Sequence, residues 1–167
     1  MTWQTLVGAE QVADQLDDPR LLVFDCRYEL ARPEAGADAY LRGHLSGAVH
    51  ADLHHDLAGP TSPTSGRHPL PDPQVFAARL QRWGVADDSL LLAYDDATSM
   101  WASRFWWMPA KWLGHRHVAV LDGGMRRWLQ LGLPTTTDPA PSRPAGAFAA
   151  RSDTRAYVDA DTTQAAA

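Results

Sequence analysis

Short apolar runs alternate with helically spaced apolar positions along most of the chain. Residues 8–16 carry Ala9, Val12, Ala13 and Leu16 at the spacing of one helix face. Leu21-Leu22-Val23-Phe24, bounded by Pro19 and Asp25, suits a strand buried on both faces. A short helix is predicted over residues 38–42, ended by Gly43, and a second strand over residues 48–51. Near Pro73, a residue suited to a first helical turn, begins a helix through Val75, Phe76, Ala78, Leu80 and Trp83 that stops at Gly84. Leu90-Leu91-Leu92-Ala93-Tyr94 is the clearest strand. The next helix starts near Ser99, carries Trp101, Phe105, Trp106, Trp107, Met108 and Trp112, and ends at Gly114; Pro109 should bend or break it. Val118-Ala119-Val120-Leu121 is the last strand, followed by a Gly-Gly turn and a helix over residues 125–131 closed by Gly132.

Strands alternating with helices imply an α/β fold, a parallel sheet with helices on both faces. Sites in such sheets form at the carboxyl ends of the strands. Residues 54–72, with Gly59, Gly66 and four prolines, read as a long loop. Residues 134–157 are a linker by composition, rich in Pro, Ala and Thr. Val158-Asp159-Ala160-Asp161 echoes Val7-Gly8-Ala9-Glu10, so residues 158–167 are expected to open a second copy of the unit spanning residues 5–133.

Composition narrows the function. A length of 167 residues suits one domain with a real core, and 45% hydrophobic against 21% charged residues is ordinary for a globular protein. A formal charge of -5 argues against a nucleic-acid partner, which would require clustered positive charge. No window reaches the roughly 18 apolar residues of a membrane span, so no membrane association is expected. Met1-Thr2-Trp3-Gln4 lacks a signal-peptide pattern and the single cysteine forms no internal disulfide, which makes the cytoplasm the default location.

Several motifs stand in order. Asp25-Cys26-Arg27 follows the first core strand, Gly43-His44-Leu45-Ser46-Gly47-Ala48 precedes the second, and Gly66-Arg67-His68-Pro69-Leu70-Pro71 precedes a helix. Tyr94-Asp95, Ser103-Arg104, Trp106-Trp107-Met108 and Leu121-Asp122-Gly123-Gly124 complete the set. Together they resemble the rhodanese (sulfurtransferase) family, and in particular the amino-terminal half of tandem thiosulfate or 3-mercaptopyruvate sulfurtransferases. Ser46 stands where that family usually has proline. The resemblance implies a three-layer rhodanese-like domain and a chemistry that passes sulfane sulfur through a cysteine persulfide to an acceptor such as cyanide. It implies no cofactor and no metal. A catalytic rhodanese domain on the carboxyl-terminal side is the implied partner.

The position after Tyr94 decides how that chemistry applies here. In an active rhodanese domain a cysteine stands there, and backbone N–H groups of the following loop and helix cradle its thiolate. This chain has Asp95, which cannot carry a persulfide, so the resemblance implies a non-catalytic domain. Cys26 is the rival nucleophile, at a strand end beside Arg27 but without a cradling loop. Two other readings stand: a free-standing binding or regulatory module, and a single-domain sulfurtransferase using Cys26. Asp25 with Arg27 reads as a structural ion pair, and Asp122 in the same way. His44 is either a catalytic base or, as is commoner, a loop histidine bonded to backbone. Gly43, Gly47 and Arg104 belong to the family pattern. Gly123 and Gly124 supply a tight strand-to-helix turn, and Trp128 is expected to cover the sheet. The adjacent His54 and His55 make a poor metal site, while His115 and His117 are expected to be solvated. The tryptophan cluster reads as core, with a face available for a partner domain.

Overall fold

The computed structural model describes residues 4–96, 98–158 and 160–165. Five strands form one wholly parallel sheet in the order β1-β5-β4-β2-β3. They are β1 (Gln4–Val7), β2 (Leu21–Asp25), β3 (Val49–His50), β4 (Leu90–Tyr94) and β5 (Val118–Leu121). Every residue of β2, β4 and β5 is buried, which is why these central strands read as unbroken apolar runs. Their side chains alternate between two cores. Leu21, Val23, Leu92, Tyr94 and Leu121 pack with α1 (Ala9–Ala13) and α5 (Gly124–Gln130) on one face. Leu22, Phe24, Leu91, Ala93 and Val120 pack with α3 (Pro73–Arg82) and α4 (Met100–Trp107) on the other. Between β2 and β3 lies α2 (Ala35–Arg42), which starts three residues before the expected helix. The α/β sheet with covered faces is therefore present as the pattern predicts.

Strand β1 has no counterpart in the predicted elements. Only Leu6 and Val7 give it apolar character, and Leu6 is exposed, so pairing with β5 rather than a hydrophobic run creates it. The tryptophan-bearing segment is broken as Pro109 predicts. α4 ends at Trp107 and gives way to a π-helical turn, Met108–Trp112, in which Leu113 N–H donates to the Met108 carbonyl at 3.0 Å.

The Pro-rich segment after Leu133 runs against the domain. Thr136 exchanges both backbone hydrogen bonds with His44 at 2.9 Å, and the Arg143 guanidinium donates to the carbonyls of Pro19 and Leu21. Phe148 is buried beside His115. His115 corrects the expectation of a solvated side chain: it is buried, its Nε2 lies 3.0 Å from the Ala86 carbonyl, and burial lowers its pKa. The cause is the returning segment, invisible to local pattern. Of the expected second copy over residues 158–167, Ala160–Ala165 forms a short helix, α6; Asp159, Ala166 and Ala167 lie outside the described residues, as do Met1 to Trp3. No helix among the described residues is long and apolar enough to cross a membrane.

Candidate functional site

The carboxyl ends of β2 and β4 lie side by side, with Asp25 in register with Tyr94. The polar side chains that end two apolar strands therefore meet at one edge. Asp25 is fully buried, and Arg27 Nη2 donates to its Oδ2 at 2.5 Å and to the Gly43 carbonyl at 2.7 Å. The Tyr94 hydroxyl donates to the same Oδ2 at 2.7 Å and accepts from Leu45 N–H at 3.3 Å. Although burial opposes the Arg27 charge, the Asp25 carboxylate holds its pKa above the usual value. Burial, reinforced by Asp25, raises Tyr94 well above the ordinary phenol range. These groups satisfy one another, and the ion pair does tie the strand end to a neighbouring loop. Proton shuttling by Arg27 or Tyr94 is disfavoured by the same contacts.

One residue further, the chain turns into the loop that leads to α4. Asp95 is 2% exposed, and its carboxylate points into that loop. Oδ1 accepts from Ser99 N–H at 2.9 Å; Oδ2 accepts from Trp101 N–H at 3.0 Å and Ala102 N–H at 3.3 Å. The loop and the first turn of α4 thus form a cradle of N–H donors around one negative charge. Ser99, at φ 58°, holds the left-handed conformation that brings those N–H groups together. Gly124 closes the arrangement from β5: at φ 55° its Cα approaches so closely that a Cβ would fall 2.4 Å from the Asp95 carbonyl oxygen. Gly123 also has positive φ, at 73°, so both glycines of the turn are required.

Cys26 lies on the other side of the sheet edge. It is 1% exposed among Phe24, Ala51, Leu53 and Phe105, with its Sγ 3.8 Å from the Phe24 carbonyl. Burial pushes its thiol well above the ordinary range, and Asp25 and Asp95 add to the effect. Both conditions disfavour a thiolate.

The remaining predicted residues hold the frame. His44 is buried and bonded to backbone: Nδ1 lies 2.8 Å from the Tyr40 carbonyl and Nε2 lies 2.9 Å from the Asp138 carbonyl. Gly47 turns the chain at φ 73°. Arg104 donates to the carbonyls of Leu57 and Pro69, pinning the long loop 54–72. Trp128 is fully buried under β5 and donates from Nε1 to the Pro134 carbonyl at 2.9 Å. Asp122 departs from the expected ion pair: its side chain is exposed and has no ion-pair partner among the described residues, because the strand ends where the carboxylate meets solvent.

Sequence reasoning missed a group of rings at the same edge. Tyr28 packs edge-on against Trp101 at 5.6 Å and His68 at 5.9 Å, and His68 meets His54 at 5.7 Å between centroids. Burial and the neighbouring His54 lower the His68 pKa. These residues come from three separate segments, so spacing carries no signal of them. No group of three or more His, Cys, Asp or Glu able to hold a metal occurs among the described residues.

Comparison with known proteins agrees with this geometry. Residues 8–131 match the rhodanese-like domain. The chain is 43% identical over 167 residues to a probable 3-mercaptopyruvate sulfurtransferase of Pseudomonas aeruginosa, a match covering 99% of the chain and 58% of that protein. It is 34% identical over 141 residues to the thiosulfate sulfurtransferase of Bos taurus, covering 82% of the chain and 46% of the relative. The crystal structure of the 3-mercaptopyruvate sulfotransferase SseA from Escherichia coli superposes with a TM-score of 0.83 at 34% identity, over 99% of this chain and 62% of that one. The chain thus spans roughly half of these relatives' length.

Proposed function

The chain belongs to the rhodanese-like family, and from that premise we propose that it serves sulfur transfer as a non-catalytic domain. One observation carries the reading: the N–H cradle at the start of α4 is filled by the Asp95 carboxylate. An anion already bound there repels thiosulfate or a mercapto acid, and a carboxylate cannot accept a sulfane sulfur. In this reading a catalytic rhodanese domain, carried on the carboxyl-terminal side, supplies the persulfide cysteine. The greater length of the relatives is consistent with that partner. Thiosulfate and 3-mercaptopyruvate are the proposed donors, since relatives carry those names.

A second reading keeps the activity in this chain. The relatives are named as enzymes, and Cys26 stands at the carboxyl end of β2, the edge where such sheets build sites. It would then be a single-domain sulfurtransferase whose thiol becomes exposed by a local opening. Intact-mass measurement separates the two. The chain and its Cys26→Ser variant are incubated with thiosulfate, then with 3-mercaptopyruvate. No reducible gain of a sulfur atom supports the non-catalytic domain. A gain that disappears in the variant establishes Cys26 as the carrier and overturns it.

A further inference from the structure

At the end of α2 the chain passes through Gly43 to His44, which is 1% exposed and lies against the segment that returns after Leu133. The His44 ring joins the two. Its Nδ1 lies 2.8 Å from the Tyr40 carbonyl in the last turn of α2, and its Nε2 lies 2.9 Å from the Asp138 carbonyl. The ring also stacks on that of Tyr40, with centroids 3.9 Å apart and planes 7° from parallel. The Tyr40 hydroxyl accepts a hydrogen bond from the Ala140 backbone, so this pair of rings grips the returning segment at two points.

A carbonyl oxygen accepts and never donates, so both contacts are hydrogen bonds only when each ring nitrogen carries a proton. A neutral imidazole has one N–H and one lone pair, and turns that lone pair toward one of the two carbonyls. Turning the ring over puts carbon at both positions. The end of a helix and the face of an aromatic ring both favour a cation, and His44 has both. No carboxylate pairs with it among the described residues, so the carbonyls rather than an ion pair hold its charge.

Each element packed around His44 brings its own charged groups. Arg27, from the end of β2, donates to the Gly43 carbonyl and is paired with Asp25, which the Tyr94 hydroxyl of β4 also bonds. Burial raises both Tyr40 and Tyr94, so neither titrates near neutrality. Asp38 and Arg42 of α2 and Asp138 of the returning segment are exposed. His50 of β3 meets the Tyr40 ring at 5.7 Å and, among these groups, is the second imidazole that can titrate in the same range.

We propose that His44 is a proton-operated latch on the returning segment. Protonated, it holds Asp138 and, through Tyr40, Ala140 against α2; neutral, it gives up one contact and loosens residues 137–141. The backbone pair of Thr136 with His44 and the bonds from Arg143 to Pro19 and Leu21 stay closed on either side, so the release is local. Where a catalytic domain follows, as proposed, the latch governs the stiffness of the connection; it involves no sulfur transfer and is tested without it.

The test is nuclear magnetic resonance of the whole chain from about pH 5 to 8, reading the His44 ring nitrogens and backbone amide exchange. Both ring nitrogens are expected to carry protons at the acid end, and one to lose its proton as pH rises. Exchange of the Asp138 and Ala140 amides, corrected for its intrinsic pH dependence, is expected to rise roughly tenfold with the same midpoint, the size of one lost charge-assisted hydrogen bond. His44→Gln, which can donate from only one nitrogen, should abolish this dependence, and His50→Gln should leave it intact. The ring signals and the two midpoints are read on the native chain, so the test stands even where His44→Gln fails to fold. A His44 ring with a single proton throughout, amide exchange that does not follow its titration, or a dependence kept in His44→Gln or lost in His50→Gln overturns the proposal.

Discussion

Replacing Asp95 by Ala tests the central claim that this carboxylate holds the loop before α4 in place. Three backbone N–H groups, of Ser99, Trp101 and Ala102, lose their acceptor at 2.9, 3.0 and 3.3 Å. Loss of an ordinary capping side chain costs about 1 kcal/mol, and each further buried donor left unpaired costs about 1–3 kcal/mol. The removed carboxylate no longer has to be desolvated, and water can enter the space it leaves. A net loss of about 2–4 kcal/mol follows from these opposed effects. Asp95→Asn keeps one acceptor oxygen but turns an amide NH2 toward N–H donors, so about half that loss is expected. Equilibrium urea unfolding at neutral pH, with unchanged slope, is the assay. Sulfate at fixed ionic strength should stabilise Asp95→Ala more than wild type, because the emptied cradle accepts an anion. A loss of under about 0.5 kcal/mol in Asp95→Ala refutes the reasoning, since that is the range of an inconsequential surface change.

Four other outcomes are expected. Asp25→Ala leaves Arg27 buried without its partner and should cost about 3–5 kcal/mol in the same unfolding assay, whereas Tyr94→Phe should cost about 1–2 kcal/mol. Gly124→Ala forces a Cβ against the Asp95 carbonyl at positive φ and should lower the thermal midpoint, by about 1–3 kcal/mol of stability. His115 has a folded pKa lowered by burial, so its contribution is present above the unfolded value of about 6.5 and is lost as pH falls below it. In His115→Gln the decline in stability between about pH 7 and 5 should therefore be shallower, provided the variant folds as judged by circular dichroism. The Cys26 thiol should resist iodoacetamide in the native protein and react promptly in urea, and native labelling as fast as a free thiol at the same pH would contradict its burial.

Much of this architecture is written in local sequence. β2, β4 and β5 were legible because central parallel strands are buried on both faces and must be apolar throughout. The break at Pro109 and the glycine turn at 123–124 were legible because they follow from missing N–H or Cβ groups, properties of single residues. Asp95 was legible as a residue out of place for persulfide chemistry.

Tertiary structure decided where these pieces act. That Asp95 is held by Ser99, Trp101 and Ala102 depends on the path of a loop, and that Cys26 is sealed in the core depends on helices packing from elsewhere in the chain. β1 exists because β5 offers a free edge, and His115 is buried because residues 144–150 return over it. The ring group of Tyr28, His54, His68 and Trp101 and the contact of His44 with Asp138 are likewise assembled from distant segments. Periodicity and residue type record what a position requires of its immediate neighbours. Burial of a polar group, and the partners that satisfy it, are settled only when distant segments meet.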